Sequence, residues 1–176
     1  MELSLRTEQL EDYEEVIELT DLAFKHMPFS NQREGELVRK LRKSVSFVED
    51  MSIVAVLNNK IVGHILFTKI NIEDGTKIYE TLTLAPVSVH PDYQLKGIGS
   101  KLIKEGLERA KKLGFRSVIV VGHPEYYPKF GFESAAKYGI KSSIDVPSEV
   151  FMLIELVKEG LKDVKGTVIY PKEFTS

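Results

Sequence analysis

The sequence predicts a mixed α/β fold, in which an antiparallel meander precedes a parallel strand–helix–strand unit, all in one sheet flanked by helices. Three observations predict it. β-Rich runs at 52–57, 61–72 and 78–89 are separated by Asn58-Asn59 and by Glu73-Asp74-Gly75-Thr76, both hairpin turn signals. An amphipathic stretch follows Gly99, after the third run. Then comes Val118-Ile119-Val120-Val121, a short β-branched run of the kind that fills a buried parallel strand.

The elements can be justified in order. Residues 3–6 alternate and open the sheet as a short strand. Thr7 is placed to cap a helix whose first turn is acidic at Glu8, Glu11 and Asp12, which suits the helix dipole. Leu10, Tyr13, Ile17, Thr20 and Phe24 recur at three- and four-residue steps and predict one core face. A loop through Pro28, Asn31 and Gly35 leads to a second helical piece around Leu37, Val38 and Leu41. Pro86 sits inside the third meander strand and has no N–H for a ladder. Either it bulges or splays the strand, leaving nearby backbone groups unpaired, or it ends the strand early. In the helix after Gly99, Leu102, Ile103, Leu107, Ala110 and Leu113 face inward. Lys101, Lys104, Glu105, Glu108 and Lys112 face outward, and Gly114 stands at the C′ position. Two further strands are expected, at 150–157 and 167–170.

Bulk properties narrow the function classes. A length of 176 residues predicts a single domain over 1–176 with a sizeable core. A net charge of −2 with no basic block sets nucleic acid aside as a partner. No apolar run approaches the ~20 residues that span a bilayer, so no membrane partner is expected. The N-terminal segment lacks the basic and apolar regions of a signal peptide, and the cytoplasm is the expected compartment. With zero cysteines there is no disulfide, thiolate metal site or cysteine nucleophile, and no metal is expected.

The richest segment follows the third meander strand, where His90-Pro91-Asp92-Tyr93 leads into Gln94-Leu95-Lys96-Gly97-Ile98-Gly99-Ser100. Two glycines between a strand and a helix start let backbone N–H groups approach an anion, and the helix dipole favours phosphate there. Two glycines are also what plain turn geometry takes. Leu102 occupies the third glycine of a dinucleotide fingerprint, and no G-x-x-x-x-G-K-[ST] occurs. Those two phosphate motifs are excluded.

The segment resembles the GNAT superfamily of N-acetyltransferases, whose central motif Q/R-x-x-G-x-G/A is matched by Gln94, Gly97 and Gly99. Val89, Pro91 and Tyr93 match the preceding V-x-P-x-Y/F, and Tyr127 to Phe132 resembles the later Y-x-x-x-G-F. The His123-Pro124-Glu125-Tyr126-Tyr127 run and the segment from Gly166 to Pro171 are similar to a loosely characterised prokaryotic branch of predicted acetyltransferases. The likeness covers nearly the whole chain, and its diagnostic part is 87–132. It implies a GNAT-like splayed sheet and acetyl-CoA as co-substrate. It assigns the pantetheine arm to the backbone of Val87, Ser88 and Val89. Gln94 joins the coenzyme site, and the pyrophosphate falls to Leu95, Lys96, Gly97, Ile98, Gly99 and Ser100, although Lys96 reads equally well as a solvated lysine. It makes Tyr127 the general acid, beside the coenzyme, with Tyr126 as a rival. It also gives the region between the first two helices, His26 to Arg33, a part in shaping the acceptor site, where a plain solvated loop is the other reading.

Acetyl transfer sets a chemical demand that the residues must meet. A lysine-like amine of pKa ~10.4 is neutral in only about one molecule in 2,500 at pH 7, a deficit of about 4.6 kcal/mol. A base or a dry pocket must offset part of it. Glu80, in the meander strand, and His123, past the buried strand, are the candidates; each also reads as an ordinary surface or turn residue. Direct attack in a ternary complex is expected, on a small-molecule or peptide amine. A homodimer is compatible with the chain. The alternatives are another acyl-CoA transferase and a non-catalytic coenzyme A-binding regulatory domain.

Overall fold

The computed structural model describes residues 2–175. In chain order it contains strand β1 (Ser4–Thr7), helices α1 (Tyr13–Phe24) and α2 (Glu34–Arg42), then strands β2 (Phe47–Leu57), β3 (Lys60–Asp74) and β4 (Lys77–Val89). Helix α3 (Ile98–Lys112) follows, then β5 (Ser117–Val121), β6 (Glu133–Ser134), β7 (Ile140–Ser142), β8 (Phe151–Glu155) and β9 (Gly166–Ile169). Hydrogen-bonded neighbours run β1-β2-β3-β4-β5-β8-β6, with β9 on β3 and β7 on β9. The pairs β4–β5 and β7–β9 are parallel, whereas β1–β2, β3–β9, β5–β8 and β6–β8 are antiparallel. The mixed α/β fold is the one the sequence predicts. Strands β6 and β7 escape prediction because two or three residues are too few to display a period.

Two compact units share these elements. The first comprises the chain through Phe67 with Ala85–Gly106; the second comprises Thr68–Leu84 with the chain from Leu107.

In the first unit, the N-terminal helix differs from expectation. Thr7 ends β1 rather than capping a helix, and the Glu8 N–H continues outward to the Ser52 carbonyl at 2.9 Å. Arg6 grips Asp12 through both guanidinium nitrogens at 2.6 and 3.1 Å, and Asp12 Oδ2 also accepts from the Gln9 N–H at 2.7 Å. That clamp holds Leu10–Asp12 in a 3-10 turn and delays the α-helix to Tyr13. Leu10 is therefore 77% exposed instead of in the core, which Val16, Ile17, Leu19, Thr20 and Ala23 fill. Gly35, expected in a loop, lies inside α2, where a Cβ would stand 2.3 Å from Asp21 Oδ1. Only a bare backbone lets α2 approach α1 so closely. Asn58 and Asn59 form the expected hairpin turn with φ of 51° and 62°, the left-handed pair that a I′ turn needs. On α3, a Cβ at Gly106 would stand 2.1 Å from the Phe67 ring, so this glycine supplies the seat of a large core side chain.

In the second unit, Ile70, Ile72, Ile119, Ala135, Ile140, Phe151, Leu153, Leu161 and Val168 form one buried cluster. Helix α3 ends as expected at Gly114, φ 93°, with the Phe115 N–H reaching back to the Ala110 carbonyl at 3.0 Å. Leu113 lies past that end and is 47% exposed, and Leu107 is only half-buried, so neither belongs to the core face.

Candidate active site

Strand β4 does not end at Pro86; it runs on to Val89. Its register with β5 covers Leu82 to Leu84 and stops before Pro86, which supports the splay over the early stop. Beyond that point, successive residues face opposite ways. The His90 N–H bonds to the Val62 carbonyl of β3 at 2.9 Å, while the Val89 carbonyl turns away and accepts from Gln94 Nε2 at 3.1 Å. By strand alternation Val87 faces the same way as Val89.

The following loop is built for a close backbone approach. His90 Nδ1 accepts from the Asp92 N–H at 3.1 Å and starts a 3-10 turn over Pro91–Tyr93. Leu95 and Gly97 then take φ of 63° and 83°. A Cβ at Gly97 would meet nothing within 4 Å, so the glycine serves backbone shape and leaves one face open. Helix α3 begins at Ile98, one residue before Gly99, and its first N–H groups have no intrahelical acceptor. Ile98 buries its side chain, and only its backbone remains for a ligand. Lys96 places its ammonium 5.5 Å from the centre of the Tyr93 ring, and Lys60 lies 5.7 Å from the same ring. Lys96 is itself exposed. Lys60 escaped the sequence reading because it opens β3, 33 positions before Tyr93, and only folding joins them.

In the second unit Tyr127 opens a 3-10 turn over Tyr127–Phe130, anchored by its N–H on the His123 carbonyl at 3.3 Å. Its ring is buried, edge-on to Tyr126 at 5.2 Å and to Phe132 at 5.6 Å. A Cβ at Gly122 would lie 2.2 Å from that ring, so Gly122 is the seat that admits it. Burial, and then the neighbouring Tyr126, push the Tyr127 phenol well above the usual tyrosine range. It remains a proton-bearing donor throughout the physiological range. His123 is exposed and contributes its carbonyl to the Tyr127 turn; Glu80 is exposed on β4. Tyr126 is half-buried.

A buried polar network in the first unit was not foreseen. Arg42 of α2 pairs with Glu8, donates to the Tyr13 carbonyl at 3.2 Å and stacks on the Tyr13 ring at 3.9 Å. Ser52 joins Glu8 Oε1 at 2.8 Å to His64 Nε2 at 2.9 Å. His64 Nε2 also lies 4.0 Å from Glu8, but this is no ion pair, because burial first and the Arg42 charge second hold the imidazole pKa down to about 3. Isolated polar residues at 8, 42, 52 and 64 carry no periodic mark, and their partnership exists only in three dimensions.

That depressed pKa has a consequence for stability. The unfolded chain takes up the His64 proton below about pH 6.5, whereas the folded chain resists it down to about 3. Its contribution is complete above 6.5 and is lost as pH falls towards 3, by up to about 1.4 kcal/mol per pH unit. Urea unfolding from pH 7 to pH 4 should show this slope in the wild type and a shallower one in His64→Gln; equal slopes would refute it.

Among the described residues no His/Asp/Glu group is arranged to hold a metal ion, and no helix is long and apolar enough to cross a membrane.

Residues 4–135 match the family model of the acetyltransferase (GNAT) domain. The chain is 36% identical over 122 residues to the Escherichia coli K12 protein named uncharacterized N-acetyltransferase YjhQ, covering 69% of this chain and 67% of that one. It is 26% identical over 146 residues to YhbS of the same organism, covering 83% and 86%. The crystal structure of E. coli YhbS in complex with CoA matches the fold with a TM-score of 0.87 at 24% identity, covering 99% of this chain and 92% of that one. A Brucella melitensis GNAT acetyltransferase, solved in complex with acetyl-CoA, matches with a TM-score of 0.79 and 31% identity over 98% of both chains. The glycine loop opening α3, the open strand end before it and these matches agree: the chain belongs to the GNAT family and is an N-acetyltransferase.

Proposed function

We propose that the protein transfers an acetyl group from acetyl-CoA to a primary amine, by direct attack of the amine on the thioester within a ternary complex. The observation that carries this reading is the Gly97 loop, with its left-handed backbone and open face at the start of α3. An unobstructed backbone at a helix N-terminus suits the pyrophosphate of a coenzyme. The outward Val87 and Val89 backbone suits an extended arm laid beside the strand. The residues therefore fit acetyl-CoA, which supplies the activated acyl group.

In this reading, residues 95–100 hold the pyrophosphate, and Lys96 with Lys60 adds positive charge nearby. Residues 87–89 align the arm. Tyr127 stands at the general-acid position and offers its phenol hydrogen to the departing sulfur. Glu80 or His123 receives the amine's proton; both are exposed, and the geometry favours neither. The acceptor is a small-molecule or peptide amine.

Calorimetry with acetyl-CoA tests the loop. Gly97→Val puts branched carbons on the open face and strains φ; Gly97→Asn adds a side chain while tolerating left-handed backbone. Both variants should weaken binding strongly with the fold retained. Unchanged affinity in both would sink the assignment. Kinetics against an amine panel, read by free thiol release, tests direct transfer. Intersecting double-reciprocal lines are expected because no cysteine can hold the acetyl group. Parallel lines with an isolable acetyl-enzyme would overturn the ternary complex.

A further inference from the structure

Among the described residues, three buried atoms in and beside the first unit's network lack a hydrogen-bond partner: Arg42 Nε at one end, and His64 Nδ1 and Ser88 Oγ at the other. His64 and Ser88 are 0% and 2% exposed. The bond from the His90 N–H to the Val62 carbonyl fixes the register of β4 on β3, and two residues back it sets Ser88 opposite His64. Residues directly opposite in an antiparallel pair share a face, with Cβ atoms about 4.5–5.5 Å apart.

The proton positions follow from the partners. The Glu8 carboxylate only accepts, so the Ser52 hydroxyl donates to it. Ser52 Oγ then accepts from His64 Nε2, which must carry the imidazole proton. Nδ1 is left with a bare lone pair. A buried acceptor beside a buried hydroxyl suits one small O–H donor that serves both.

We propose that His64 Nδ1 and Ser88 Oγ share one ordered water, and that through it His64 is a positioning residue for the coenzyme-holding end of β4. The positioning role rests on the acetyl-CoA reading above. Ser88 lies between Val87 and Val89, so fixing Ser88 fixes the direction of the backbone groups on either side. The far end of the network is Arg42, which also holds the Tyr13 carbonyl at the start of α1. The network therefore ties the helix pair α1–α2 to the strand end that the coenzyme uses.

Three measurements on the full chain test this. If the Ser88 hydroxyl is merely unpaired, Ser88→Ala removes a desolvated group and Tm rises; a shared water predicts that Tm falls. In ¹⁵N spectra of labelled histidine, His64 should show the Nε2–H tautomer with a hydrogen-bonded Nδ1. The Nδ1 resonance should move towards the free-acceptor value in Ser88→Ala. By calorimetry, Ser88→Ala and His64→Gln should each weaken acetyl-CoA binding by about tenfold, and the double variant little further, because both remove one bridge. A raised Tm with an unmoved Nδ1 resonance overturns the water site. Unchanged affinity in both variants overturns the positioning role while leaving the coenzyme reading intact. A wild type that fails to bind acetyl-CoA overturns that reading and the positioning role together, and the water site is still decided by Tm and the Nδ1 resonance.

Discussion

Tyr127→Phe should lower turnover by about 10²–10⁴-fold while changing acetyl-CoA affinity little. Coenzyme A's thiol resembles an ordinary thiol of pKa ~8.5, so expelling it as a bare thiolate near neutral pH carries a moderate burden. The Tyr127 phenol is raised by burial and by Tyr126, so it stays protonated and always offers a hydrogen. It stabilises the departing sulfur chiefly as a donor, since complete proton transfer to so weak a base runs uphill. Phenylalanine keeps the ring against Tyr126 and Phe132 and removes only the hydroxyl that carries that hydrogen. Gly122→Ala makes a complementary test: its Cβ collides with the ring, so turnover should fall with the hydroxyl still present. Tyr126→Phe should lose far less than Tyr127→Phe. Equal losses in the two tyrosine variants, with chemistry rate-limiting, would reduce Tyr127 to a packing residue.

Arg42→Met should destabilise the fold by about 3–5 kcal/mol in urea unfolding at neutral pH. The side chains of Arg42 and Glu8 are 6% and 1% exposed, so deleting the guanidinium strands a carboxylate out of water. The stacking on Tyr13 and the bond to its carbonyl go with it. Adding Glu8→Gln should recover much of the loss, because removing both charges of a buried pair is far less costly than removing one. A single variant within about 0.5 kcal/mol of wild type would mean that water reaches the pair and the network carries no such weight.

Much of the fold was legible because its causes are local. Asn58-Asn59 needs two left-handed residues, and the chain provides two that tolerate them. The β-branched run at 118–121 and the amphipathic pattern of α3 follow from periods of two and 3.6. Where neighbours compete, local pattern misled. Leu10 fits the helical phase of Ile17, but Arg6 claims Asp12 and the helix starts later. Gly35 looks like a loop residue, yet it is the point where two helices nearly touch.

The site divides along the same line. Gln94, Gly97, Gly99 and Tyr127 could be found in the sequence because they stand in family motifs that fix residue type at fixed spacing. The sequence by itself thus determined the fold class, the family and the loop at the start of α3. Tertiary structure alone decided that Lys60 meets Tyr93, that Gly122 seats Tyr127, and that Glu8, Arg42, Ser52 and His64 form one network. Contacts between residues distant along the chain leave no periodic trace, since each position need only suit a partner that folding brings to it.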